Sequence, residues 1–159
     1  MICEKILGKL HEFDSSGKEI EYVDIEWHEA FKKIHKKVTD HEREIGIRMD
    51  DSVLKRGLFQ DDVIYEDDNF LIVVNTPPCE VIEISMTPGH EKMIPKVCYE
   101  IGNRHAPLFF GDEENTFVTI YNEPMMQMLL GMHGVTAEKK MRKLEFDRRI
   151  SASIHNHHH

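Results

Sequence analysis

Apolar and polar residues alternate along much of the first half of the chain, with the period expected of a β-strand that buries one face. In KEIEYVDIEW, Val23, Ile25 and Trp27 fall on one face, whereas Glu21 belongs to the polar positions. REIGIRM alternates in the same way, and RGLFQDDVIYEDDNFLIVVN predicts a hairpin with a polar turn at 67–69. WHEAFKKIHKKV fits helical spacing as well as a strand, and we interpret it as a short irregular lead into a strand.

The second half mixes strand and helix periods. EVIEISM predicts a strand, and EKMIPKVCYEIG places Ile94, Val97, Cys98 and Ile101 on one helical face. Two strands follow in PLFFGD and TFVTIY, then a Met-rich helix that runs to Gly134 and packs in the core, and a last strand in KKMRKLEF. The order β-α-β-β-α-β is that of a ferredoxin-like domain.

The segment NTPPC carries the best boundary between the two halves. Its double proline fixes two backbone angles and removes two amide donors, which favours a stiff connector. We therefore predict an α+β chain with three parts. They are an all-β domain over residues 1–75, a ferredoxin-like domain over residues 76–148, and a flexible histidine-bearing tail over residues 149–159.

The chain of 159 residues carries a formal net charge of -9. Because affinity for nucleic acid comes largely from Lys and Arg, this charge argues against a nucleic-acid partner and suits a metal cation or a basic protein surface. No apolar run approaches the ~20 residues that span a bilayer, so we expect no membrane partner. Cys3, Cys79 and Cys98 are too far apart for a disulfide framework or a CxxC metal site, and reduced thiols fit a cytoplasmic location.

The sequence contains no GxSxG, HExxH, P-loop or glycine-rich nucleotide motif, and we predict that the chain is not an enzyme and has no catalytic residues. The paired acids 61–62 and 67–68 lie in turn-like segments, where solvated loops are expected. Four histidines of the first half are predicted to lie on the surface: His11, His28, His35 and His41.

The stretch IGNRHAP, residues 101–107, ends the first helix of the second half. One interpretation is a helix C-cap, in which Gly102 or Asn103 takes the left-handed conformation and His105 suits the negative end of the helix dipole. The other is a metal ligand, because His105 continues the apolar face of the helix near its exposed end. The physics of the residues favours the cap, and one histidine can serve both purposes.

The last five residues, HNHHH, follow Ser-Ala-Ser and hold four histidines, His155, His157, His158 and His159. Neutral imidazoles suit Ni, Zn and Cu, whereas a purification-tag remnant is the alternative, weakened by the interruption at Asn156. One tail alone holds a metal weakly. A twofold dimer that brings two His105 side chains to one ion, with tail histidines completing the shell, would hold it more firmly.

The stretch KVCYEIGNRHAPL, residues 96–108, resembles the UreE family of urease accessory proteins, which are nickel metallochaperones. RGLFQDDVIYEDD, the βαββαβ half and the histidines after Arg149 are also similar to this family. The resemblance implies a peptide-binding β domain, then a metal-binding domain that dimerises with His105 as the nickel ligand at the interface. It also implies that His155 is a second ligand. Other members of the family carry a histidine pair where this chain has Thr119 and its neighbours, so the accessory metal site formed by that pair is expected to be absent.

From the residues and this resemblance together we expect a homodimer with Ni(II) as cargo and Zn(II) as the alternative ion. The expected ligands are His105, His155, His157, His158 and His159. The expected partners are the urease accessory GTPase and the urease maturation complex, to which nickel is delivered for assembly of the urease active site. A non-catalytic peptide-binding module and a general Ni/Zn buffer are the alternatives, and a metal-dependent hydrolase lacks a motif.

Overall fold

A computed structural model describes residues 1–150 of the chain. These residues separate into two compact units, Met1–Pro77 and a second unit that begins at Pro78. Four of the expected ligands lie outside the described residues: His155, His157, His158 and His159.

The first unit contains two small sheets and one short helix. Its elements are β1 (Ile2–Cys3), β2 (Gly8–Lys9), β3 (Glu19–Asp24), β4 (Ile34–Val38), β5 (Glu44–Arg48), α1 (Val53–Arg56), β6 (Asp62–Glu66) and β7 (Phe70–Asn75). One sheet has the order β1-β5-β4 and the other β2-β6-β7-β3. The alternation did not predict α1, because one helical turn gives too few residues for a helical period to be recognised.

Strand β7 is buried on both faces, since all residues from Phe70 to Val74 are at most 9% exposed. Leu71 and Val73 pack with Val63 of β6 and with half-buried residues that include Phe13 and Ile20. Such a run of consecutive apolar residues is typical of a strand covered on both sides. The predicted hairpin is therefore the centre of the four-stranded sheet.

Two acids of the first unit are buried, and the expectations for them are wrong. Asp62 is 0% exposed, and its carboxylate accepts two hydrogen bonds of 2.8 Å from Arg56 and lies 3.0 Å from the Lys9 ammonium. Glu21 is 1% exposed and accepts hydrogen bonds from Arg43 and Thr39. A buried carboxylate needs such partners, and partners so far along the chain do not show in a local pattern.

The second unit has the predicted β-α-β-β-α-β order. Its elements are β8 (Cys79–Met86), α2 (Ile94–Asn103), β9 (Leu108–Phe110), β10 (Phe117–Ile120), α3 (Glu123–Leu130) and β11 (Val135–Arg142). The strands form one antiparallel sheet with the order β11-β8-β10-β9, so the first and third strands of the unit lie at its centre. This is the ferredoxin-like arrangement, and the α+β prediction with a ferredoxin-like second half is confirmed.

Both helices of the second unit pack on one face of the sheet. Val97 and Ile101 of α2 meet Leu129 of α3 over Ile82 and Ile84 of β8, and all five are at most 1% exposed. The alternating pattern of β8 therefore puts these residues under the helices.

The last strand and the last helix have other bounds than expected. Helix α3 ends at Leu130 rather than at Gly134, and β11 begins at Val135 rather than at Lys139. Leu144, which the pattern assigned to that strand, is buried in the segment that follows it. No helix within residues 1–150 is long and apolar enough to cross a membrane.

Candidate metal site

The end of helix α2 carries His105 in a left-handed conformation. Arg104 is the C-cap, and His105 follows it with φ 58°. The His105 N–H donates to the Gly102 carbonyl at 2.9 Å, and the Ala106 N–H donates to the Ile101 carbonyl at 3.3 Å. These two bonds are those of a Schellman motif.

The predicted helix cap exists, but the expectation that Gly102 or Asn103 is its left-handed residue is wrong. Both are part of α2, and neither has a positive φ. A side chain in the left-handed region costs roughly 1–2 kcal/mol relative to the right-handed one, which is why glycine is the usual residue there. The histidine that the sequence singles out as a ligand therefore takes this less favourable conformation, as do three other non-glycine residues, Glu42, Asp61 and Asn115.

The chain that leaves the turn is anchored in the core. The buried Thr119 hydroxyl donates to the Pro107 carbonyl at 2.6 Å, and Leu108 pairs with Thr119 across β9 and β10. His105 is thus held between the helix end on one side and a strand on the other. Since the Thr119 side chain is 0% exposed, position 119 offers no surface ligand.

One face of α2 leads towards His105 and is open. Pro95, Tyr99 and Gly102 are four and three residues apart, and all three are exposed. Tyr99 is 70% exposed, and a Cβ added at Gly102 would meet no atom within 4 Å. An exposed aromatic side chain beside bare backbone allows another surface to approach closely.

The described chain ends close to the His105 turn. Arg149 forms an antiparallel bridge with Phe109, and the Ile150 N–H donates to the Leu108 carbonyl at 2.8 Å. Because β9 runs away from His105, the antiparallel segment at Ile150 runs towards it. Ile150 therefore lies beside Leu108, which is three residues after His105.

Ion pairs hold this last segment against the sheet. Asp112 accepts hydrogen bonds from Arg148 at 2.7 Å and from Arg142 at 3.1 Å, and Arg142 also contacts Glu145 at 3.3 Å. The two guanidinium groups hold the pKa of Asp112 below its usual value. The start of the tail is thereby fixed relative to β9.

Two other histidines of the described chain lie together. His90 and His133 are in contact, with ring centroids 5.0 Å apart, although 43 residues separate them in the sequence. His90 Nδ1 is buried without a hydrogen-bond partner among residues 1–150, and a Cβ at Gly134 would lie 2.4 Å from the His90 ring. The pair therefore packs against a turn in which only glycine fits.

No group of three or more His, Cys, Asp or Glu side chains within residues 1–150 is arranged to hold a metal ion. His35 is only 7% exposed, contrary to expectation, and its Nε2 lies 2.9 Å from the Lys32 carbonyl. Burial lowers the pKa of His35. Within residues 1–150, His105 is thus an exposed imidazole that lies three residues before Leu108, to which Ile150 is hydrogen-bonded.

Comparisons with known proteins agree on one family. Residues 3–76 match the family model described as UreE urease accessory protein, N-terminal domain, and residues 79–159 match the corresponding C-terminal domain. The urease accessory protein UreE of Acetivibrio thermocellus is 37% identical over 160 residues, which cover 100% of this chain and 97% of that protein.

Two Helicobacter proteins with the same description are also similar. The protein of Helicobacter pylori strain G27 is 35% identical over 97% of this chain and 88% of its own length. The protein of Helicobacter acinonychis is 35% identical over 98% of this chain and 90% of its own length. Because both family models match and these relatives cover nearly the whole chain, the chain belongs to the UreE urease accessory protein family.

Proposed function

We propose that this chain acts in urease maturation as a nickel chaperone, and that a homodimer holds Ni(II) between two His105 side chains and delivers it. Membership of the UreE family supports the role in urease maturation. The observation that supports the proposed ligand set is the position of Ile150, which is hydrogen-bonded to Leu108 and runs antiparallel to β9.

Chain length allows the tail to reach the site. His155 follows Ile150 by five residues, and five extended residues span at most about 18 Å. His105 lies three residues before Leu108, to which Ile150 is hydrogen-bonded. His155 is therefore the first tail histidine within reach of the His105 imidazole, and His157, His158 and His159 supply further donors.

The open face of α2 is the proposed dimer surface. Tyr99 supplies an exposed aromatic side chain, and Gly102 presents backbone that a second copy can approach. A twofold axis near this face would place both His105 imidazoles on one ion, and such dimers are the commonest assemblies of soluble proteins.

Imidazole ligands explain both capture and release. Imidazole nitrogen suits Ni(II), and Zn(II) competes for the same donors. His105 is fixed by its turn, whereas tail ligands can be exchanged one at a time for those of a partner. The proposed partners are the urease accessory GTPase and the urease maturation complex, and the first unit would recognise a protein partner.

Calorimetric nickel titration combined with native mass measurement tests the proposal. The wild type should bind one Ni(II) per dimer, and His105→Ala should lose this high-affinity event because the fixed ligand is gone. His11→Ala removes an exposed histidine of the first unit and serves as the matched control. Undiminished affinity in His105→Ala would contradict the site.

Removal of residues 151–159 tests the tail separately. The truncated chain should keep the dimer and the His105 pair but bind nickel more weakly, because fewer imidazoles complete the shell. Unchanged affinity and an unchanged rate of transfer to the GTPase would exclude the tail from the site.

A further inference from the structure

Strand β4 exposes its apolar side chains and buries its histidine. Ile34 is 71% exposed and Val38 is 56% exposed, whereas His35 between them is 7% exposed. Successive side chains of a strand point to opposite faces, so Ile34, Lys36 and Val38 share the open face. This arrangement is the reverse of an ordinary half-buried strand, which hides its β-branched residues.

The backbone of the same three residues points to the open edge of the sheet. The Gly46 N–H of β5 donates to the Met1 carbonyl, so Gly46 faces β1 and is not hydrogen-bonded to its β4 neighbour Lys36. In an antiparallel pair this leaves the N–H and C=O of Lys36 pointing away from β5. Ile34 and Val38 have the same orientation because they lie two residues away on either side.

The order β1-β5-β4 leaves β4 at the edge of its sheet. The edge approaches β3, and just after Val38 the Asp40 N–H donates to the Tyr22 carbonyl at 2.9 Å. Within the part of the chain that the structure describes, the open edge strand, defined as Ile34–Val38, therefore offers unpaired backbone groups and exposed apolar side chains on the same residues. Such an edge is a template for the addition of a further strand.

The charge of this strand is opposite to that of the chain. Four lysines stand in the seven residues KKIHKKV, in a chain with net charge -9. Lys33 pairs with Asp51 at 2.6 Å and Lys37 with Glu29 at 2.9 Å. Lys32 and Lys36 form no ion pair within the described residues, so two positive charges remain for an external partner.

Apolar surface continues onto the neighbouring strands. Ile2 of β1 pairs with Gly46, which in turn faces Lys36, so Ile2 lies in the same row across the sheet. Ile2 is 56% exposed and covers Gly46 at 3.7 Å from the position of an added Cβ. A segment added beside β4 would lie three strand spacings, about 14 Å, from β1, so its side chains would meet Ile34 and Val38 rather than Ile2.

We infer that the open edge strand binds an extended segment of another protein in which, at every second position, an acidic residue alternates with an apolar one. Main-chain hydrogen bonds at Ile34, Lys36 and Val38 supply affinity, and carboxylates opposite Lys32 and Lys36 supply specificity. A second copy of this chain is a poor occupant, because two β4 strands would bring lysines together and like charges across a ladder repel. This inference rests on the proposed recognition of a protein partner by the first unit.

The direct test uses a fluorescein-labelled ten-residue peptide in which valine and glutamate alternate at every second position and threonine fills the positions between them. It is titrated with the full chain and followed by anisotropy. A peptide with lysine in place of glutamate and one with glutamates and valines in separate blocks are the peptide controls. Binding should be restricted to the alternating acidic peptide, because only this peptide matches both the charge and the period of the edge.

Three protein variants separate the contributions. Lys36→Pro removes the outward N–H without removing a bond to β5 and should weaken binding at least about tenfold. The double change Lys32→Gln and Lys36→Gln should weaken it roughly three- to tenfold, as expected for two exposed ion pairs. As a control, Leu54→Ser with Lys55→Gln removes one exposed apolar side chain and one exposed lysine from α1 and should have no effect.

Several outcomes would overturn the inference. They are absence of binding by the wild type, equal binding by all three variants, and equal binding of the lysine peptide. Self-association of the glutamine variant without peptide binding by the wild type would instead make the lysines a guard against edge-to-edge pairing. Nickel titration of the same variants keeps the two proposals distinguishable, because Lys36→Pro should leave nickel binding unchanged.

Discussion

The two units place their least favourable residues in opposite settings. The first unit buries charge: Asp62 and Glu21 are at most 1% exposed, and each is neutralised by arginine. The second unit buries no charged side chain within the described residues, and its His105 is left-handed and exposed, as Glu42 is in the first unit. A buried ion pair is expensive to break, whereas a strained surface turn costs little. The buried charges therefore serve the fold, whereas the binding role proposed for His105 belongs to an exposed turn.

The largest expected effect is at Asp62. In Asp62→Asn the neutral amide removes the carboxylate that offsets the positive charges of Arg56 and Lys9, which should cost about 3–5 kcal/mol of unfolding free energy. Urea unfolding of the full chain measures this loss. Asp68→Asn, an exposed aspartate in the turn after β6, should change stability by less than about 0.5 kcal/mol.

Equal effects of Asp62→Asn and Asp68→Asn would show that the buried ion pair is not what holds the first unit together. Nickel binding at 25 °C should be unaltered in any Asp62 variant that still folds, since the contrast assigns this residue to the fold. A loss of nickel binding by a folded Asp62 variant would show that this residue also takes part in binding.

The second expected effect is the pH dependence due to Glu21. Hydrogen bonds from Arg43, then one from Thr39, hold the pKa of Glu21 below its usual value of 4.5, against the opposing effect of burial. The carboxylate therefore contributes its full stability above the unfolded pKa near 4.5 and loses it as the pH falls through the lower folded pKa. Acid should weaken the first unit in this window.

Glu21→Gln should lower stability by about 2 kcal/mol at pH 7 and flatten the pH dependence below pH 4.5. Urea unfolding from pH 3 to 7 measures both quantities. Glu19→Gln, an exposed glutamate on the same strand, is the matched control. A pH slope in Glu21→Gln equal to that of the wild type would assign the acid sensitivity to other carboxylates.

The spacing of apolar residues predicted the strands and helices that bury one regular face. Periods of two and of 3.6 residues gave the ferredoxin-like order and the end of α2, because each strand and helix there buries one regular face. Glu21 and Asp62 were misplaced, since Arg43, next to β5 of the other sheet, and Arg56, at the end of α1, are brought to them by the tertiary fold, which no local spacing reveals.

The candidate site was predictable only in part. A histidine at a helix end with GN before it indicates a cap, but which residue turns left-handed depends on where the last helical hydrogen bond forms. That bond places Asn103 inside α2 and shifts the turn to His105. The proximity of Ile150 to Leu108 depends on the fold of residues 143–150 over the sheet and has no signal in the sequence pattern.

The smallest expected effect separates strain from ligation at His105. His105→Gly and His105→Ala both remove the imidazole, so both should lose the high-affinity nickel event of the proposed site. Glycine, however, takes the left-handed conformation without the Cβ penalty. His105→Gly should therefore be about 1 kcal/mol more stable than His105→Ala, measured by urea unfolding in the presence of a chelator.

Asn103 provides a control with the opposite sign. It is the last residue of α2 and has a helical backbone, so Asn103→Ala should be more stable than Asn103→Gly by up to about 1 kcal/mol. At position 105 the glycine variant should thus be the more stable, whereas at position 103 the alanine variant should be, because of these two positions only 105 has a positive φ. If glycine were the less stable choice at both positions, His105 would carry no strain, and the contrast between buried charge and a strained surface ligand would fail.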